Sequence, residues 1–153
     1  MPNIGPLGGD PQVANRYLFE VDSVEIGVFS SVSGLSMSVT TEDVVEGGEN
    51  GYIHKLPGRL TWQNLTFKRG VTDGNALFDW ISKTSGEGFA SNHNKVDRPS
   101  GAVTALGSDG RRLRSWVLDE VMPVRWSGPS FDSTSNNALE EELEIAHHGI
   151  HVK

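Results

Sequence analysis

The stretch RYLFEVDSVEIGVFSSVSGLSMSVTTEDVVE, residues 16–46, alternates between apolar and polar side chains with period two. Tyr17, Phe19 and Val21 alternate with Leu18 and Glu20, and Asp22-Ser23 marks a turn. Val24, Ile26 and Val28 then alternate with Glu25 and Gly27. After a bend at Ser33-Gly34, Met37, Val39 and Thr41 alternate with Ser36, Ser38 and Thr40, until the run fades at Glu46-Gly47-Gly48. Successive side chains of a strand point to opposite faces, so this pattern predicts half-buried strands. Three strands joined by short turns point to an antiparallel sheet.

Working outward, residues 1–15 are rich in Pro, Gly and Asn, and are expected to form an extended arm, mobile in isolation. Residues 47–59, GGENGYIHKLPGR, read as a polar connection with an exposed Tyr52 and a basic end at Lys55 and Arg59. Leu60 to Arg69 returns to strand, with Leu60, Trp62, Asn64 and Thr66 on one face and Leu65 and Phe67 on the other. Residues 73–84 carry Leu77, Trp80, Ile81 and Thr84 at helical spacing, with Thr72 expected as N-cap and Gly86 as the stop. Residues 86–100 read as loop, and Asp109-Gly110 predicts a hairpin between Ala102–Leu106 and Arg112–Val121. After a polar loop over residues 127–137, Ala138 to Val152 forms a final strand in which Leu139, Leu143 and Ile145 alternate with Glu140, Glu142 and Glu144. Seven or eight strands and one helix leave no βαβ repetition. The expected fold is mainly β, an antiparallel β-barrel or sandwich with one α-helix, as a single domain over residues 16–153.

The whole chain has 153 residues and no cysteine, which excludes disulfides, a thiol nucleophile and thiolate metal ligands. No apolar run approaches the roughly 20 residues of a membrane helix. The N-terminus lacks the basic and apolar regions of a signal peptide, so assembly in the producer cytoplasm is expected. The net charge of −7 speaks against binding a nucleic-acid backbone. That charge is uneven. Residues 1–50 hold one basic and eight acidic residues, residues 51–126 eleven and seven, and residues 127–153 one and five. Acidic and basic surfaces that face each other, within or between chains, would account for this layout.

Few motifs point to chemistry. His147 and His151 share a strand face and, with Glu144, sketch a metal-dependent hydrolase as an alternative function. The Glu140, Glu142 and Glu144 row has the period of a solvated strand face rather than of a catalytic carboxylate pair. The glycine-rich residues 47–51 lack the Lys-Ser/Thr end of a phosphate loop. Arg111, Arg112 and Arg114 form a short basic cluster suited to pairing with carboxylates. No catalytic residue, metal site or cofactor is predicted.

A longer series is far more specific: Phe19-Glu20-Val21, Gly27 to Leu35, Glu46-Gly47-Gly48-Glu49-Asn50, Lys55-Leu56-Pro57-Gly58, Leu65 to Asp73, and the helix with Leu77 and Trp80. Its order and spacing resemble the inner tail-tube protein of contractile phages and of phage-tail-like contractile injection systems. Trp116, Pro123 and Asn137 to Gly149 resemble that family's closing strands. The resemblance implies a hexameric ring, rings stacked into a hollow tube inside a contractile sheath, and one continuous barrel around the lumen. It implies inter-ring contacts from the arm and from residues 47–59, hence Tyr52, Lys55 and Arg59 as inter-ring candidates. It implies as partners further copies of the chain, the sheath protein, baseplate and tail-terminator proteins, and DNA or protein cargo. The family often has an acidic residue where His148 stands. Two polar rows, Ser36, Ser38, Thr40 and Glu42, and Glu140, Glu142 and Glu144, are the lumen-facing candidates. Asp79 and Lys83 are expected to face the sheath. The free hexameric ring protein of a type VI secretion system is a second alternative, against which the 47–59 connection speaks.

Overall fold

In the strand Glu140–Ala146 (β10), alternation becomes a division of labour: Glu141, Leu143 and Ile145 are buried, while Glu140, Glu142 and Glu144 turn towards solvent. The computed structural model describes residues 14–45, 47–48, 51–84, 98–134 and 136–153. Before β10 come β1 (Arg16–Val21), β2 (Val24–Phe29), β3 (Ser31–Ser33), β4 (Met37–Val44), β5 (His54–Trp62) and β6 (Leu65–Gly70). The helix α1 (Ala76–Thr84), β7 (Gly101–Leu106), β8 (Arg112–Leu118) and β9 (Met122–Ser127) follow, and β11 (Ile150–Val152) ends the series. Neighbouring strands pair antiparallel throughout.

Three sheets result, ordered β11-β8-β7-β1-β2, β3-β6-β10-β9 and β4-β5. The first two sandwich an aromatic core. Phe19 lies 4.6 Å from Phe67 and 5.6 Å from Trp80 of α1, and Phe29 lies 5.1 Å from Phe67. Leu65, Val103, Leu118, Val121, Leu143 and Ile145 complete it. Each such side chain contributes roughly 1.5–3 kcal/mol by leaving water. Among the described residues the sheets form a sandwich and close no barrel within one chain.

The strand count exceeds the expected seven or eight because expected strands are interrupted. Leu60 to Arg69 breaks at Gln63-Asn64, where Gly34, at φ 94°, brings its backbone against the Asn64 carbonyl. A side chain at residue 34 would be both strained and blocked. The final strand breaks at His147-His148-Gly149. The expected 47–59 connection is half strand, since His54 to Arg59 belong to β5. The helix starts at Ala76 rather than residue 73: the first intrahelical bond runs from Asp79 N–H to the Asn75 carbonyl, so Asn75 and not Thr72 stands at the cap. Most of the expected arm, residues 1–13, and the expected helix stop at Gly86 lie outside the described residues.

Candidate functional site

Register fixes what the open face of the four-stranded sheet presents. Ser31, Lys68, Glu142 and Ser127 stand in one cross-strand row, and Ser33, Thr66, Glu144 and Arg125 in the next. Directly opposed residues share a face. Arg125 spans the two rows, with Nη2 3.2 Å from Glu142 Oε1 and Nε 3.4 Å from Glu144 Oε2. Asn64 Nδ2 donates to Glu144 Oε1 at 3.0 Å. That bond, with a smaller contribution from Arg125, holds the Glu144 carboxyl below its ordinary pKa. The three expected glutamates do share one face, but two of them are bridged by Arg125. Glu140 is exposed at the end of the row.

The other expected polar row belongs elsewhere. Ser38, Thr40 and Glu42 lie on β4, which among the described residues pairs only with β5, and Ser36 immediately precedes it. The same hairpin carries Lys55 and Arg59, so these two groups of candidates occupy one element rather than two regions. An extra β5 residue at Gly58-Arg59 interrupts the register between Val39 and Thr41, and Arg59 N–H donates to Thr40 Oγ1 at 2.8 Å. The Ser38 and Thr61 hydroxyls bond at 2.7 Å on one face. On the opposite face Met37 is 64% exposed, Val39 47% and Leu60 46%. The alternation that places β1 and β2 in the core gives no sign that these residues lie outside it. Tyr52 is exposed, edge-on to His54.

On α1, Leu77 and Trp80 are buried and Asp79 and Lys83 are exposed. Phe78 meets the Trp126 ring at 4.9 Å, tying the helix to the edge strand β9.

One buried group carries no obvious sequence signal. Arg69 and Glu141, each 7% exposed, are ion-paired between the sheets through Arg69 Nε and Glu141 Oε1. Trp126 Nε1 donates to Glu141 Oε2 at 3.1 Å, and the guanidinium lies 5.0 Å from the Phe29 ring centre. A Cβ at Gly27 would collide with that guanidinium, so the glycine inside β2 is the indirect trace of this pair.

The histidines are committed to structure. Gly149 N–H donates to His147 Nδ1, which leaves Nε2 protonated and donating to the Gln63 carbonyl at 2.9 Å. His148 sits between Arg98 and Glu120, so the carboxylate at this corner is Glu120. His151 faces Asp119 at 3.5 Å, while Glu144 is held by Asn64 and Arg125. His147, His151 and Glu144 therefore do not converge. Among the described residues no group of three or more His, Asp or Glu side chains is placed to hold a metal. The hydrolase alternative has no site there.

A family model described as "T4-like virus tail tube protein gp19" matches residues 13–151. No curated protein sequence matches. Among solved structures, the sheath–tube complex of an extracellular contractile injection system, PVC, in its extended state contains a chain 28% identical, with TM-score 0.74, over 94% of this chain and 91% of that one. The sheath/tube terminator of the same system matches at 28% identity and TM-score 0.74, over 95% and 98%. The anti-feeding prophage baseplate contains a chain of the same fold, 22% identical with TM-score 0.75, over 95% and 97%.

Proposed function

The chain belongs to the T4-like virus tail tube protein family, and we propose that it builds its tube as hexameric rings stacked inside a contractile sheath. It is an inner tube protein of the contractile injection type, and its family is a structural one. The observation that carries the assembly reading is a pair of strands with no core of their own. Every residue of β4 is exposed, as are eight of the nine in β5, with Met37, Val39, Leu56 and Leu60 among them. An isolated two-stranded hairpin is at best marginally stable in water, so a neighbouring copy is the natural cover. In this reading Tyr52, Lys55 and Arg59 contact the adjacent ring.

Among the described residues the edges β3 and β9 of the four-stranded sheet are open. Unpaired edges invite pairing with another chain, and lateral joining of sheets around a ring satisfies them. Its open face then lines the lumen through Glu140, Glu142 and Glu144. Because Arg125 bridges two of these glutamates and Lys68 stands opposite one, the wall is of mixed charge rather than strongly acidic. Such a wall repels phosphate backbones less, and attracts basic surfaces less, than an acidic one. The row Ser36, Ser38, Thr40 and Glu42, carried by the hairpin, reaches the lumen only where the hairpin does. Asp79 and Lys83 face the sheath, and the PVC relative was determined within a sheath–tube complex. Baseplate and terminator proteins close the ends, and DNA or protein cargo occupies the lumen.

Negative-stain imaging of the purified protein tests this: stacked rings with a central hole are expected. Deleting residues 47–58 should leave separate rings; long tubes built by that deletion would refute the role of the hairpin. Charge reversal at Asp79 and Lys83 should weaken sheath docking and spare tube assembly.

A further inference from the structure

The five-stranded sheet carries exposed charges of opposite sign at its two ends. Leu106 is paired with both Arg16 and Arg112, so β1 and β8 begin at the same end of the sheet, on either side of β7. Arg111 and Arg114 join them, and all four arginines are exposed. Arg112 is held by Glu20 at 2.9 Å, and Arg114 lies 5.9 Å from the Trp116 ring centre. Arg16 and Arg111 have no carboxylate partner for their guanidinium groups among the described residues. Asp109 in the adjacent turn accepts the Arg111 backbone N–H at 3.0 Å.

At the far end, Gly101 is paired with both Val21 and Leu118. Asp22 and Glu25 flank the β1–β2 turn there, and Asp119 and Glu120 follow β8, all exposed. Asp119 and Glu120 face His151 and His148, and Arg98 reaches His148. Asp22 and Glu25 have no cationic partner among the described residues. Five strand steps separate the two ends, about 17 Å. Exposed charges that far apart are largely screened at physiological salt, where the Debye length is about 8 Å. Apart from the Arg112–Glu20 pair, the two ends therefore do little for each other inside one copy.

We infer that the acidic end of this sheet in one copy docks on the basic end of the sheet in the next copy along the stack. The inference rests on the tube reading and adds the surfaces that meet and the polarity they impose. Two unlike patches of one chain meeting head to tail generate an array that can extend, where a patch meeting itself would close a dimer. Opposite charges steer the approach and fix its register. Like ends repel, so a ring that arrives inverted is rejected. The uneven charge along the sequence thereby becomes a direction.

Charge exchange in the full-length chain tests this. Arg16→Glu with Arg111→Glu reverses the basic end, and Glu25→Lys with Asp119→Lys reverses the acidic end. Each double variant is expected to give rings under negative stain but tubes at least tenfold shorter than wild type, with an unchanged melting curve. The variant with all four substitutions is expected to regain long tubes. Wild-type length from either double variant, or no recovery in the fourfold variant with wild-type melting, overturns the inference. If a variant loses the wild-type melt, a salt series on the wild type decides: tubes that shorten as salt rises support it, and tubes of constant length overturn it. Failure of the wild type to form rings would instead strike the tube reading itself.

Discussion

The sandwich body and the β4–β5 hairpin are built from the same kind of strand, yet they stand on different physics. In the body, Phe19, Phe29 and Phe67 interlock with no more than 1% of their surface exposed. In the hairpin, Met37, Val39 and Leu60 line one face and remain about half exposed or more. Backbone pairing is continuous in both apart from bulges. Main-chain hydrogen bonds alone therefore do not separate an element with a core of its own from one without. The separation lies in what the side chains cover.

The largest test of that contrast is Phe67→Ala, which removes a fully buried ring touching two others. It should cost about 3–5 kcal/mol in denaturant unfolding, and ring formation with it. Glu141→Ala should cost nearly as much, roughly 3–5 kcal/mol, because it strands the Arg69 guanidinium without a partner between the sheets. Met37→Ser with Leu60→Ser should change unfolding of the unassembled chain by less than about 0.5 kcal/mol, yet shorten tubes sharply. A large loss of stability there would mean the hairpin supports its own body, and the contrast would collapse.

The smallest effect concerns pH at the open sheet face. The folded state lowers the Glu144 pKa, so the stabilisation it supplies is present above the ordinary carboxylate pKa and is lost as pH falls through the lowered value. Asn64→Ala should move that titration back towards the ordinary range, observable by carboxyl carbon resonances. An unmoved titration would leave Arg125 as its cause.

Much of the body is legible in the sequence. Period two marks β1, β2 and β10, Asp109-Gly110 marks the turn before β8, and Leu77 and Trp80 give away the buried side of α1. Interruptions are harder to read. Gln63-Asn64 holds neither Gly nor Pro; the strand parts there beside Gly34, remote in sequence, which lies close against the Asn64 carbonyl. The limits of the hairpin are hidden for the opposite reason: residues 47–59 look like turn material, although half of them continue a strand. Of the surface candidates, the glutamate row is readable as a face, but its bridging cation is not. Arg125 lies in another strand, and only the register of β9 on β10 brings it across.

The close approach of Gly27 to Arg69 reaches beyond this one molecule. Any side chain at residue 27 would have to displace a guanidinium that is itself held by Glu141, so no one of these three positions is free to drift alone. Across the lineage the three should be inherited as a unit: a descendant with alanine at 27 should also have given up the arginine at 69 and the glutamate at 141. An alignment that scatters the three independently would show that the sheets can reseat around the change.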